Sequence, residues 1–276
     1  MPQSSVWSSS EMAEHWQQDI ERRRQDMAEA TQRMLEAAGL KSGDHVLDIA
    51  AGTGDQSIFA ARLVGPGGSI LATDSSAEML GTAARVVQQE GLTNVTTRVM
   101  DAQQLDLQDN AFDAVICRLG LMLIPNLQQA LREIRRVLQP GGKLAALVWS
   151  APENNPLFAL PLAIASKYAG GASSPRPHPF ALSDPTVFER ELTETGFSEI
   201  ITRALPFQSH YASLDAFLHS TARRLTAGVI EQLSQQEQQH LLEELRQAVS
   251  QFEGAHGLVA PAELLLGVGS KEMRPC

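Results

Sequence analysis

Three aspartates each close an apolar run: Asp48 in HVLDIA, Asp74 in SILATD and Asp101 in VTTRVMD. Between the first two lies a turn with two glycines, Gly52 and Gly54, inside the stretch VLDIAAGTGD that runs from Val46 to Asp55. Glycine lets a main chain approach a ligand closely, and the start of the next helix supplies free N–H groups and positive potential. A dinucleotide fingerprint would need a third glycine where Ser57 stands, so that reading is incomplete. The lysine of a phosphate-cradling loop is absent altogether. Asp74 falls about twenty residues past the turn, the spacing at which a carboxylate accepts bonds from ribose hydroxyls.

The elements that must position these groups alternate along the chain. Short apolar runs (HVLDIA, SILATD, VTTRVMD, FDAVICRL, KLAALVWS) are separated by amphipathic stretches (QSIFAARLV, SSAEMLGTAARVVQQEG, NLQQALREIRRVLQPGG). Such an order implies parallel strands with right-handed helical crossovers. Continuous apolar character fits strands covered on both faces. The expected fold is therefore α/β, a doubly wound Rossmann-like sheet of seven strands, mostly parallel, with an antiparallel last strand near Leu264 to Val268 and a helical lid. One domain spans 1–276 in this reading. Residues 1–40 form an N-terminal helical cap, 41–150 the cofactor-binding core, and 151–276 the substrate-side lid and sheet edge. A helix is expected from about Glu11 to Gly39, with apolar residues at three- and four-residue spacing and Gly39 as its stop. Beyond Ser150 a short helix is expected around Leu157 to Lys167, another at Pro185 to Thr195 capped by Ser183 or Asp184, and a strand at Phe197 to Phe207. A long helical stretch follows from Ala227 to Gly254.

In this arrangement all three acids would point into the crevice at the carboxyl edge of the sheet. A crevice so charged repels a pyrophosphate. It suits a ligand with a ribose, an ammonium and a sulfonium, and no phosphate, which is S-adenosyl-L-methionine. Any one such acid is as readily a cap for the next helix; three in order, with the glycine turn, point to the cofactor.

Composition narrows the partners. The 276 residues are 43% hydrophobic and 20% charged, with a formal net charge of -10. An acidic surface disfavours nucleic acid. The basic cluster Arg22 to Arg24 reads as a solvated helix face. No apolar run reaches the roughly 18–20 residues needed to span a bilayer, and the polar N-terminus is not a secretory signal. Cys117 and Cys276 are too few and too far apart for a disulfide framework, which makes a reducing, cytoplasmic setting the expectation. No cluster has metal-ligand spacing, so no metal is expected.

These motifs resemble those of class I S-adenosylmethionine-dependent methyltransferases. The style is that of the small-molecule branch that includes the ubiquinone and menaquinone biosynthesis C-methyltransferases. VLDIAAGTGD resembles the first motif of that branch, with Ala50 where other methyltransferases carry a first glycine. ATDSSAEML resembles the ribose-binding second motif and MDAQQL the adenine-contacting third. FDAVICRLGLMLIPN resembles the fourth-strand motif, and EIRRVLQPGGKLAALVW the helix, turn and fifth strand. The resemblance covers about Lys41 to Ser150. It implies that Asp48 organises the turn, and that Gly52, Thr53 and Gly54 contact the methionine part through backbone. It further implies that Asp74 takes the ribose, with Ser75 and Met79 beside the adenine. Asp101 and Ala102, with help from Gln103, would read the adenine edge. Arg118 would offer its backbone carbonyl near the methionine ammonium, or its side chain would bond a neighbouring acid.

Methyl transfer from a sulfonium needs mainly alignment, within about 3–3.5 Å, and exclusion of water. A base is needed only where the acceptor has a proton to lose. The candidate bases are His178, His210 and Tyr211. The Asn/Asp-Pro-Pro-aromatic motif of amine-methylating DNA enzymes is missing, its place reading CRLGLM. Apolar residues outside the core (Trp7, Trp16, Met122, Leu123, Phe158, Phe180, Phe217) point to a small apolar or aromatic acceptor, such as a quinone precursor, polyketide or isoprenoid. A Rossmann oxidoreductase using NAD(P), or a binding protein that holds S-adenosylmethionine without turnover, are the alternatives.

Overall fold

The computed structural model describes residues 20–169 and 178–273. The N-terminal helix is two helices: α1 (Ile20–Asp26) and α2 (Ala28–Ala38) break at buried Met27, and α2 ends on left-handed Gly39, as expected. The part of the cap before residue 20 lies outside the described residues, with Trp7 and Trp16. Then come β1 (His45–Ile49), α3 (Asp55–Val64), β2 (Ser69–Asp74), α4 (Ala77–Gln89), β3 (Val95–Val99), β4 (Phe112–Arg118), α5 (Leu127–Val137) and β5 (Leu138–Trp149). Two of these helices, α4 and α5, start at a polar side chain that caps them. Ser76 accepts from Met79 N–H and Asn126 from Gln129 N–H, satisfying donors that the first helical turn leaves unpaired.

The sheet order is β3-β2-β1-β4-β5, all parallel, so the strand order reverses between β1 and β4. Ligands bind at this switch point in open α/β sheets. Buried Val46, Leu47, Ile116, Ala145 and Leu147 show why the central runs carry no alternation: helices cover both faces.

After β5 come α6 (Pro156–Tyr168), α7 (Pro185–Glu194), β6 (Ser198–Tyr211), α8 (Leu214–Phe217), α9 (Arg223–Ile230), α10 (Gln235–Val249), β7 (Glu253–Gly254) and β8 (Gly257–Ser270). The last strand, β8, slots between β5 and β6, antiparallel to both, as the sequence predicts. The two-residue β7, which pairs with the start of β8, is the one strand the sequence does not show. Asp184, with Pro185 behind it, caps α7. The long helical stretch is split: Ser234 and Glu237 form a reciprocal capping box that starts a new helix, α10. S-x-x-E is visible in the sequence and should have marked the break.

β6 and β8 outrun the sheet. Trp149 ends β5 opposite Leu264, which pairs with Leu205; pairing then continues from Pro206–Glu263 to Tyr211–Leu258. At about 3.3 Å per residue, this two-stranded ribbon stands roughly 20 Å above the carboxyl edge. Its outer part carries a second core, in which Leu157 of α6, Phe217 of α8, Leu241 and Leu245 of α10 and Leu258 of β8 are buried together. The main core lies around β1, β4 and β5. Among the described residues no helix is long and apolar enough to cross a membrane.

Candidate functional site

The glycine turn leaves β1 at the switch point with Ala50, Gly52 and Gly54 all at positive φ, +53°, +57° and +83°. Gly52 and Gly54 adopt this conformation at no steric cost, whereas Ala50 does so against its Cβ. Ala50 is tolerated because its neighbour gives way: a Cβ on Gly120, just past β4, would lie 2.4 Å from the Ala50 Cβ.

The three acids end their strands at three depths. Asp74 is half-buried at the mouth. Its Oδ2 accepts from Gly52 N–H at 2.9 Å and its Oδ1 from Ser76 N–H at 2.9 Å. Each carboxylate oxygen has a second lone pair, so Asp74 can hold the turn and still accept from two vicinal hydroxyls. Burial raises its pKa, which the backbone bonds from Ser76 and Gly52 oppose. Met79 packs behind Gly52, and Ser75 is exposed at the rim.

Asp101 is exposed and folded onto Gln103, accepting from its backbone N–H at 2.8 Å and from its amide. Gln103 Oε1 in turn accepts from Asn126 N–H at 3.0 Å, tying this loop to the start of α5. Ala102 lies half-buried between them.

Asp48 corrects the expectation that all three acids face the crevice. It is wholly buried beneath the turn, where Gln56 Nε2 donates to Oδ1 at 3.0 Å and the Ser57 hydroxyl donates to Oδ2. Desolvation lifts its pKa to about 7; the bonds from Ser57 and Gln56 and the Arg118 charge counter this only in part. Asp48 thus fastens β1 to the first turn of α3 through two side chains and braces the turn from below.

The Arg118 side chain bonds a neighbouring acid, one of the two roles expected of this residue. Its guanidinium donates to Asp55 Oδ2 at 3.1 Å and to Thr31 Oγ1 at 3.0 Å, with both ions nearly sealed from solvent. Asp55 also accepts from Arg24 Nε at 3.2 Å, and Arg24 reaches Glu90. Arg22 pairs with Asp26 and stacks over the Tyr211 ring, 4.0 Å from its centroid. The basic cluster is therefore not merely a solvated face: Arg22 and Arg24 bolt α1 to the ribbon and to the glycine turn. Asp55 closes the quoted motif as first residue of α3. Sequence reasoning gave it no role, although an acid at a helix start is a standing signal.

The candidate bases separate. Tyr211 ends β6 inside the second core, its hydroxyl donating to Thr221 Oγ1 at 2.8 Å and its ring edge-on to Phe217. A buried, bonded phenol is no base. His210 is exposed on β6 and holds Asp26 through its backbone N–H and its Nδ1. His178 stands apart, at a cleft beyond β4 with Met122. Of the expected acceptor-side residues, Phe217 is core, Phe180 is buried against the main core, and Phe158 packs on Trp149 at 4.2 Å between centroids. Among the described residues no group of three His, Cys, Asp or Glu converges as a metal site.

Comparison with known proteins bears on the core. A family model described as a methyltransferase domain matches residues 40–161. The ubiquinone/menaquinone biosynthesis C-methyltransferase of Cellvibrio japonicus is 42% identical over 121 residues, 44% of this chain and 49% of that protein. The enzyme of that name from Pseudomonas putida is 35% identical over 182 residues, 60% of this chain and 70% of that protein. In the Cellvibrio case the chain spans about half the length of the relative it matches. Among solved structures, phosphoethanolamine N-methyltransferase 2 of Haemonchus contortus in complex with S-adenosyl-L-methionine shares the fold. Its TM-score is 0.56 at 20% identity, over 89% of this chain and 53% of that one.

Proposed function

Because the chain belongs to the class I S-adenosylmethionine-dependent methyltransferase family, we propose that it transfers a methyl group from S-adenosyl-L-methionine to carbon or oxygen of a small apolar or aromatic metabolite in the cytoplasm. The observation that carries this reading is Asp74: a half-buried carboxylate that braces Gly52 N–H and keeps lone pairs for a ribose, beside a turn with three positive-φ residues. The residues present fit the cofactor, because two glycines open the turn and the acids at the mouth welcome a cation with no phosphate. Bound there, S-adenosylmethionine supplies an electrophilic methyl on a sulfonium.

Asp74 binds the ribose hydroxyls in this reading, with Ser75 and Met79 beside the adenine and Asp101, Ala102 and Gln103 along its edge. Gly52, Thr53 and Gly54 bind the methionine part through backbone, over the brace formed by Asp48. The backbone carbonyl of Arg118 lies towards the ammonium while its side chain locks Asp55. Residues 151–276 serve as lid and sheet edge of one domain, and their task is to orient the acceptor and exclude water.

Calorimetry tests the cofactor: S-adenosylmethionine and S-adenosylhomocysteine should bind, and NADH should not. Binding of NADH alone would move the protein to the oxidoreductases. Labelled cofactor, incubated with the protein and an extract of its source cells, tests turnover. Label should appear in small molecules. Label in protein or nucleic acid would overturn the acceptor class, and binding without any label transfer would leave a cofactor-binding protein.

A further inference from the structure

A second concavity, of about 340 Å³, opens between the turn after β4 and the approach to α7. Met122, Ile124, Leu127, Leu182 and Val187 give it apolar walls, and two side chains able to hydrogen-bond, His178 and Glu191, line the same space. Its position ties it to the cofactor crevice. The turn that begins at Gly120 is pressed against Ala50, and its first helical residues, Leu121 and Met122, line the cleft. On the other side Asn126, between cleft residues Pro125 and Leu127, holds Gln103. One short segment thus touches the glycine turn, the Asp101 loop and the cleft.

The hydrogen-bonding groups have defined roles. His178 Nδ1 accepts from Phe180 N–H at 3.1 Å. A ring nitrogen that accepts cannot carry the proton of the neutral imidazole, so the proton sits on Nε2. His178 stands at the exposed end of the cleft, and its partial burial lowers its pKa. His178 is therefore a donor here and not the general base that its residue type suggests. Glu191 is largely buried; its Oε2 accepts from Gln128 Nε2 at 2.7 Å, which leaves further lone pairs to accept with.

We propose that this cleft is the acceptor subsite and takes a flat apolar molecule with a carbonyl and a hydroxyl at separate ring positions, His178 Nε2–H donating to the carbonyl and Glu191 accepting from the hydroxyl. The inference rests on the methyltransferase reading above and adds the oxygen pattern that the acceptor must carry. The volume is within the range of small-molecule sites, about 300–1,000 Å³. A few polar groups on apolar walls are what gives such a site its orientation.

Two probes isolate the pattern: 6-hydroxy-2-acetonaphthone, which has both oxygens, and 2-acetonaphthone, which lacks the hydroxyl. Binding is measured by calorimetry on the full chain saturated with S-adenosylhomocysteine. The hydroxyketone should bind about 10-fold more tightly than the ketone, the worth of one hydrogen bond to a charged group. Glu191→Leu should erase that preference and Glu191→Gln, whose amide oxygen still accepts, should keep part of it. His178→Ala should weaken both probes alike, and Val187→Trp, which fills the cleft, should abolish both. Affinity for S-adenosylhomocysteine should be unchanged in all four variants, which also shows that they fold. Failure of the unsubstituted protein to bind the hydroxyketone, or binding indifferent to His178→Ala and Glu191→Leu, would overturn the subsite. Failure to bind S-adenosylhomocysteine would overturn the methyltransferase reading instead.

Discussion

The glycine turn and the projecting ribbon both stand at the carboxyl edge of the sheet, yet they are held by opposite means. Beneath the turn the interior is polar: Asp48, Asp55, Gln56 and Ser57 are all buried, with Arg118 nearly so, and they hold one another. The ribbon and its helices enclose leucines and phenylalanines, and their ion pairs, Lys167–Glu244 and Arg246–Asp215, lie on the surface. Burying ions is costly, and replacing them with apolar groups is often neutral or stabilising. The turn keeps them because a backbone that must stay open to a ligand cannot be packed from above and has to be braced from below. The ribbon carries no such demand and is held by apolar burial.

That contrast predicts where substitutions and pH will act. The largest effect should come from Asp48. Its folded-state pKa of about 7 stands above an ordinary 3.8, so the folded chain keeps a proton that the unfolded chain has released. Its contribution to stability is then fully present below about pH 4 and is lost as the pH climbs to about 7. At 1.36 kcal/mol per pH unit the interval amounts to about 4 kcal/mol. Denaturant unfolding of the ligand-free protein and of Asp48→Asn, compared from pH 4 to 8, should show this slope in the first and not in the second. Equal slopes would mean that the turn is not braced by a buried carboxyl.

Next in size is Arg118→Ala, which removes one buried ion pair from Asp55 and leaves the pair with Arg24. Unfolding free energy should fall by about 2–3 kcal/mol, the worth of a hydrogen bond between charged groups. Replacing both ions, as in Arg118→Met with Asp55→Leu, should recover part of it, and a double cycle measures the coupling. Asp74→Ala should then weaken S-adenosylmethionine by roughly 30–100-fold, the loss of about 2–3 kcal/mol of bonds to a charged acceptor, and should lower the unfolding midpoint modestly because Gly52 and Ser76 N–H lose their acceptor. Unchanged affinity would show that the second-strand acid is not the ribose partner.

On the ribbon side the effects should be smaller. Tyr211→Phe removes a single neutral bond to Thr221 and should cost about 1 kcal/mol of stability. Arg246→Ala, which opens an exposed pair to Asp215, should leave the midpoint where it is, since such pairs contribute little in water. If either rivals Arg118→Ala, the two regions are not held differently after all.

What could be read from the chain alone was whatever repeats with a period or closes a run. The alternation of apolar runs and amphipathic stretches determined a parallel sheet. The acids at 48, 74 and 101 and the glycines at 52 and 54 marked its ligand edge, because a strand end and a tight turn each demand particular residue types locally. Even the last strand was legible in AELLLGVGSK, while its antiparallel direction is set by pairing with β5 and β6. Tertiary structure alone decided the depth of each group. Asp48 and Asp74 both close apolar runs that end in an acid, yet one is sealed under the turn and the other stands at the mouth. Tyr211 and His210 are sequence neighbours that a strand sends to opposite faces, one into a core and the other onto Asp26. The long-range partners of Arg24, Arg118 and Gln103 were equally hidden, since an ion pair or hydrogen bond across tens of residues leaves no periodic trace. Sequence spacing records what each residue needs from its neighbours in the chain, and only folding determines which neighbours it gains in space.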